Sequence, residues 1–314
     1  IHLKTKCVSI NNKENEIILE NNKKLKYDFL ILATGSSQSV VLEHPNKDML
    51  SSKNDGLKAL NDVRGTLSAA KSILIVGGGF VGSEIAGELS VAYPQSKITI
   101  VHSGAKIGIP SKDVPDHPPI EFWEKLTKKC EQLENVNLIL NDRLDRPEDA
   151  AAIDDVKRKY KTKNGIEIEV DLTLWCIGEK INNDLWKEND DFETNHRGQL
   201  ILDDYLRAKG HDNIFVNGDA GFVERETNRA TFCDTRATNI GANILSLIDR
   251  QKPAQIYKQI EHAPVLCTLG PHKGQSLLPG GIMAGSSVTA AIKGGDMLLG
   301  KVSQDLGFVE DVED

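Results

Sequence analysis

The densest chemical signal in the chain is Gly77-x-Gly79-x-x-Gly82. Gly77 permits a tight turn, and Gly79 removes the side chain that would hold a pyrophosphate away from the backbone. Gly82 lets the following helix close on the preceding strand. A helix that starts here offers free N–H groups and the positive end of its dipole to phosphate, with Phe80 and Val81 sharing the loop's backbone contacts. Glu84, read as a first-turn carboxylate, either complements that dipole or meets the nicotinamide side of a bound cofactor. His102 stands 20 residues after Gly82, where an adenosine ribose is normally met. A carboxylate there would favour the 2′-hydroxyl of NAD and repel the 2′-phosphate of NADP. His102 does neither, and Lys106 is close enough in sequence to help a phosphate. The cofactor therefore reads as NAD(P)H without a choice between the two.

The elements that must carry this loop are legible on both sides of it. Lys71–Val76 is an apolar strand, Ser83–Ala92 has helical spacing, and Lys97–His102 is the return strand. Strand, glycine turn, helix and strand make a βαβ unit of the dinucleotide-binding type. Residues 57–70 and 120–134 read as helices and Val136–Leu140 as a strand. Lys161–Val170 reads as a hairpin turning at Asn164-Gly165, and the charged stretch 150–160 as a solvated helix or loop. Asp171–Gly178 reads as a buried strand ending in Gly178. Before the loop, Val8–Ile10 and Glu16–Glu20 are short strands between Asn/Lys-rich turns. Tyr27–Leu32 has the profile of a strand covered on both faces and runs into Ala33-Thr34-Gly35. Residues 37–56 read as a connection. After residue 182 come a short strand at 199–202, a strand ending in Asn217-Gly218-Asp219-Ala220, and a helix over 231–250 with Ile240, Ile244, Leu247 and Ile248 in its spacing. Residues 264–302 form a Gly-rich, β-containing piece.

Composition bounds the rest. The 314 residues carry 38 Lys plus Arg against 46 Asp plus Glu, a net charge of −8 that argues against a broad nucleic-acid footprint. No apolar run reaches the ~18 residues of a membrane span. The five cysteines contain no Cys-x-x-Cys pair and suggest reduced thiols in a cytosolic setting. Cys233 reads as an inert buried thiol, and His117, His262 and His272 show no metal-ligand spacing, so no metal is expected.

Taken in order, Ala33-Thr34-Gly35, the Gly77–Glu84 loop, the Gly-ended strand at Gly178 and Asn217-Gly218-Asp219 resemble the FAD/NAD(P)-linked pyridine-nucleotide oxidoreductases. Within them the chain is similar to the apoptosis-inducing-factor-like branch, in its ferroptosis-suppressor-like group. The resemblance implies an α/β fold of two dinucleotide-binding (Rossmann-like) domains, with the NAD(P)H domain inserted in the FAD domain, plus a small α+β C-terminal region. The implied divisions are 1–56 and 183–262 for the FAD domain, 57–182 for the NAD(P)H domain and 263–314 for the C-terminal region. Ala33, Thr34, Gly35, Gly218, Asp219 and Ala220 would hold FAD, with the helix from about Thr231 pointing its N-terminus at the flavin. Gly77, Gly79, Phe80, Val81, Gly82, Glu84, His102 and Gly178 would hold NAD(P)H. The family's first FAD glycine motif does not occur, so the expectation is a unit preceding residue 1 and a chain that by itself holds little flavin.

The implied activity is hydride transfer from NAD(P)H to flavin and delivery of electrons to a small quinone-like acceptor. Two alternatives stay open: a disulphide or ferredoxin reductase of the same architecture, and a low-turnover nucleotide-binding signalling module. The expected location is cytoplasmic, with peripheral association on lipid-droplet, mitochondrial or other membranes through either terminal region left open.

Overall fold

The computed structural model describes residues 2–38, 52–108, 118–224, 226, 230–250, 252–253, 255–259, 263–305 and 307. His117, His262, Pro45 and most of the 37–56 connection lie outside them. The chain divides into two compact units, residues 38–178 with 262–314, and residues 1–37 with 179–261.

The first of these units is built on a five-stranded sheet. Its order is Val136–Ile139, Lys97–Val101, Ser72–Val76, Leu172–Trp175, Ile153–Asp154. All neighbours are parallel except the edge strand Ile153–Asp154. The continuous apolar run of Ser72–Val76 is explained by its central place, since Ile73, Leu74 and Ile75 are wholly buried. The helix Phe80–Ala92 follows the glycine turn as expected. The helix Ile120–Glu131 buries Phe122, Trp123, Leu126 and Cys130 at a spacing of three and four. Lys53–Ala69 begins at a Ser52 cap whose hydroxyl accepts from the Asp55 N–H. Arg158–Lys161 and Glu167–Val170 form the expected hairpin, with Gly165 at φ +89° in its turn.

Two readings of this region are corrected. The stretch 150–160 is not a solvated helix or loop. It supplies the edge strand Ile153–Asp154 and the start of the hairpin, because Asp154 is buried and neutralised by Arg158 at 2.6 Å. Residues 263–305 are also not a separate region. The antiparallel sheet Val265–Thr268, Gly274–Leu278, Ile282–Ala284 belongs to the same unit. Val265, Cys267, Leu269 and Leu277 share one apolar core with Ala86, Leu89 and Leu126. Gly87 is what allows the approach, since a Cβ there would overlap the Leu269–Gly270 backbone.

The second unit opens with the antiparallel sheet Cys7–Asn11, Glu16–Leu19, Lys24–Lys26. Asn15 and Asn22 in its turns take φ of 51° and 62°, the left-handed conformation Asn tolerates best after Gly. Leu30–Leu32 then pairs in parallel with Ile214–Val216, although 181 residues lie between them. Trp186, Phe192, Leu200, Ile214 and Val216 form the core. Here too the sequence reading needs correction. Leu30–Leu32 is covered on one face only, with Ile31 51% exposed. The helix Ala230–Arg250 buries Ile240 and packs Ile244 and Leu247 against it, but Ile248 is exposed.

Candidate functional site: a glycine-loop nucleotide cleft

The glycine turn leaves the carboxyl end of the central strand Ser72–Val76, where open parallel sheets bind ligands. Gly77 has φ +107°, a conformation that L side chains rarely adopt, and its N–H donates to the Val101 carbonyl at 2.9 Å. A Cβ on Gly82 would overlap the Gly77 carbonyl, so helix and loop close on each other only because position 82 is bare. Gly79 is different. Its φ is ordinary, and a Cβ there would meet nothing within 4 Å. The bare face of Gly79 therefore opens on space. Gly79 is also the N-cap residue of the helix Phe80–Ala92, and no side chain caps that end. The first N–H groups of the helix are left to an external acceptor.

That space is a cavity of about 540 Å³. It is lined by Gly77, Gly79 and Phe80 of the loop, by His102 and Ser103 after the return strand, and by Ile177 and Gly178 after Leu172–Trp175. The segment Asp142–Asp145 closes it on the side of the outer strand Val136–Ile139. Phe80 anchors the loop, with its ring centroid 4.9 Å from that of Trp123. The Gly108 N–H donates to the Gly78 carbonyl at 2.5 Å and braces the turn from below.

Of the residues expected to hold NAD(P)H, the structure thus brings Gly77, Gly79, Phe80, His102 and Gly178 to one cavity. Val81 is partly exposed and Gly82 buried on the helix just behind it. Glu84 is elsewhere. It is the fifth residue of the helix, past the first turn, so the reading as a first-turn carboxylate is corrected. Its Oε1 accepts from the Thr268 N–H at 3.0 Å and from Lys293 Nζ at 2.5 Å. The carboxylate is thereby committed to the C-terminal sheet.

His102 is 5% exposed, and its Nδ1 accepts from the Gly78 N–H at 3.1 Å. The ring is neutral with its proton on Nε2. Burial pushes its pKa down, against a smaller upward pull from the Lys106 backbone. It holds the loop at Gly78. Lys106, expected to help a phosphate, is paired with Glu124 at 2.7 Å.

The residues expected to hold FAD meet in the other unit. Leu30–Leu32 and Ile214–Val216 are parallel, so Ala33-Thr34-Gly35 and Asn217-Gly218-Asp219 leave the same edge side by side, joined by Asn217 N–H to Leu32 O at 2.9 Å. Gly35 and Gly218 have φ of 65° and 70°. The Ser36 hydroxyl donates to Asp219 Oδ2 at 2.7 Å, and Ala220 is buried behind the turn. Asn182, which the sequence did not single out, clasps the first loop: its Nδ2 donates to the Thr34 carbonyl and its own carbonyl accepts from the Thr34 hydroxyl, both at 2.9 Å. Cys233 lies against Gly218, and burial raises its pKa.

Among the described residues no three His, Cys, Asp or Glu side chains stand together as metal ligands, and no helix is long and apolar enough to cross a membrane. A parallel sheet with an uncapped glycine-loop helix at its carboxyl edge defines a dinucleotide-binding protein of the doubly wound class.

The chain belongs to the pyridine nucleotide-disulphide oxidoreductase family, which matches over residues 1–242. FAD and NAD(P)H are the cofactor pair of that family, as the sequence implied. The chain is 32% identical over 303 residues to apoptosis-inducing factor homolog A of Dictyostelium discoideum, aligning 90% of itself with 71% of that protein. To human ferroptosis suppressor protein 1 it is 28% identical over 254 residues, covering 80% of itself and 64% of that protein. The similarity to the apoptosis-inducing-factor-like branch is borne out by both. Among solved structures, an NAD-dependent persulfide reductase from A. fulgidus superposes with a TM-score of 0.63 at 17% identity, over 88% of this chain and 49% of that one. An FAD-dependent pyridine nucleotide-disulphide oxidoreductase from Desulfovibrio vulgaris gives 0.58 at 20% identity, over 87% and 67%. The chain thus spans about half to two-thirds of these solved chains, and they establish the fold.

Proposed function

We propose that this protein is a flavin-dependent NAD(P)H oxidoreductase that delivers electrons to a quinone-type acceptor. The observation that carries the reading is the uncapped N-terminus at Gly79 facing a cavity of about 540 Å³. A pyrophosphate fits it, because Gly79 presents no side chain and the first-turn N–H groups need an acceptor. In this reading Gly77, Gly79, Phe80, Val81 and Gly82 hold the pyrophosphate, and Gly178 lies at the nicotinamide end. In the other unit Ala33, Thr34, Gly35, Gly218, Asp219 and Ala220 hold FAD, which fits the paired glycine turns and the half-buried Asp219 carboxylate. When bound, the pyridine nucleotide supplies a hydride that flavin accepts and passes on as electrons. The chain's part is to fix the phosphates and to keep the loop rigid through His102 and Phe80.

The five cysteines of the described residues offer no activated thiol. Burial pushes Cys130 and Cys176 up to about 12 and raises Cys7, Cys233 and Cys267 as well. Exchange with a disulphide needs a thiolate, and these thiols stay protonated at neutral pH. The relatives named as ferroptosis suppressor proteins support the same branch.

The test is steady-state NADH oxidation by flavin-loaded protein with a short-chain quinone, a small disulphide or ferredoxin as acceptor. Turnover with the quinone alone is expected. Turnover only with disulphide or ferredoxin overturns the acceptor, and no turnover with any of the three supports the signalling module.

A further inference from the structure

Sheet order fixes which end of a bound dinucleotide lies where. With the pyrophosphate at Gly77–Gly79, the adenosine side follows the return strand Lys97–Val101 and its outer neighbour Val136–Ile139. The charged groups that face the cavity there are Asp142, Arg143 and Asp145. Two of the three have partners, although Asp142 Oδ2 is buried without a hydrogen-bond partner among the described residues. Asp142 is 2% exposed, and its Oδ1 accepts from the N–H groups of Arg143 at 2.7 Å and Asn164 at 3.1 Å. Burial alone would raise its pKa, but the Thr162 hydroxyl and these backbone N–H groups outweigh that and hold it below the usual carboxylate range. Asp145 is paired with Lys163. Arg143 makes no ion pair among the described residues and is exposed at the rim.

The backbone under Arg143 is pinned on two sides. The Asn141 N–H donates to the Gly104 carbonyl at 3.0 Å and the Asp142 N–H to the His102 carbonyl at 3.1 Å, which ties the segment to the end of the return strand. The hairpin turn holds the other side. The Lys163 N–H donates to the Arg143 carbonyl at 2.9 Å, and Asn164 Nδ2 to the Asn141 carbonyl at 3.1 Å. Asn141 at φ 56° makes the corner. A guanidinium with no ion pair among the described residues is thus carried on a braced loop at the cavity that Ser103 also lines, on the adenosine side, while Lys106 and Lys163 are neutralised by their own partners.

We propose that Arg143 recognises the 2′-phosphate of NADPH and is the residue that admits this cofactor to the cleft. The proposal rests on the nucleotide-binding reading of the glycine loop. A planar guanidinium suits a phosphate dianion far better than it suits a neutral 2′-hydroxyl.

Calorimetry on the wild-type protein, Arg143→Ala, Arg143→Lys and Gly79→Val tests it with NADPH, NADH, 2′,5′-ADP and 5′-ADP. Arg143→Ala weakens NADPH and 2′,5′-ADP by roughly tenfold and leaves NADH and 5′-ADP within about twofold, the scale of one charge-assisted phosphate contact. Arg143→Lys recovers most of the loss, and the wild-type preference for 2′,5′-ADP shrinks as salt screens the pair. Equal weakening of all four ligands by Arg143→Ala shows the guanidinium stacking on adenine and overturns the proposal. No change in any of them also overturns it. If Gly79→Val leaves all four unaffected, the glycine-loop reading itself is wrong, whatever Arg143 does.

Discussion

The edge at Gly77 and the edge at Gly218 are both carboxyl ends of parallel strands, and they present opposite charge. At Gly77 the backbone does the presenting: no side chain caps the helix that begins after Gly79, and its N–H groups are left for an anion. At Gly218 side chains intervene. The Asn217 carboxamide takes the Gly218 N–H at 2.9 Å, and what stands forward is the Asp219 carboxylate, held by the Ser36 hydroxyl. The first edge suits a pyrophosphate, the second a ligand with hydroxyl donors. Topology places a ligand edge, and a few capping residues set its sign.

That contrast can be broken at each edge. The largest effect is expected under the second one. Arg236 is wholly buried on the helix Ala230–Arg250 and pairs with Glu226 at 2.5 Å, while Tyr257 donates to the same Glu226 at 2.9 Å. Removing one partner strands a buried charge, so Arg236→Met destabilises the protein by about 3–5 kcal/mol in chemical denaturation. A loss below about 1 kcal/mol would mean that Glu226 finds another cation.

Gly79→Val comes next. A side chain there meets open space, so the melting temperature should hold while NADH affinity falls by more than roughly tenfold in fluorescence titration. An unchanged affinity would remove the loop from the site. At the other edge, Asp219→Asn keeps an acceptor for Ser36 but discards the charge. Flavin released from loaded protein should rise about fivefold in dissociation constant, and Ser36→Ala should change it less, within about twofold. The reverse order would make the serine the recognition group.

The smallest effect is a pH slope. The pKa of buried His102 lies below its usual value of 6.5, so the unfolded chain binds the proton more readily than the folded one. The stability held by neutral His102 is present above the unfolded pKa and declines as the pH drops below it. His102→Gln should flatten that acid limb in urea denaturation between about pH 6.5 and 5. An unaltered limb would assign it to other groups.

Much of the glycine-loop edge was legible because its determinants are local. Ser72–Val76, Gly77, Gly82 and the return strand lie within about thirty residues, each with a period or a bare Cα to mark it. The long-range partners were not. Nothing near His102 in sequence says that Nδ1 is engaged by Gly78, and nothing near Glu84 points to Thr268 and Lys293. Arg143 went unnoticed because a lone Arg in a polar stretch has no pattern. The usable signal was its position just past the strand Val136–Ile139, on the carboxyl side of a parallel sheet. Ile31 misled for the opposite reason: an apolar run looks buried on both faces whether or not a second layer covers it.

The bond from Thr268 N–H to Glu84 spans 184 residues of sequence, and Gly87 waits on the backbone of Leu269–Gly270 across a similar distance. During synthesis at roughly 5–20 residues per second, the helix Phe80–Ala92 therefore stands for on the order of ten to forty seconds before the strand that covers its Leu89 face exists. The sheet partners Ile153–Asp154 and Leu172–Trp175 emerge within that interval, while the helix is still unroofed. The unit is completed by a late, non-local docking of residues 265–278, which raises its contact order.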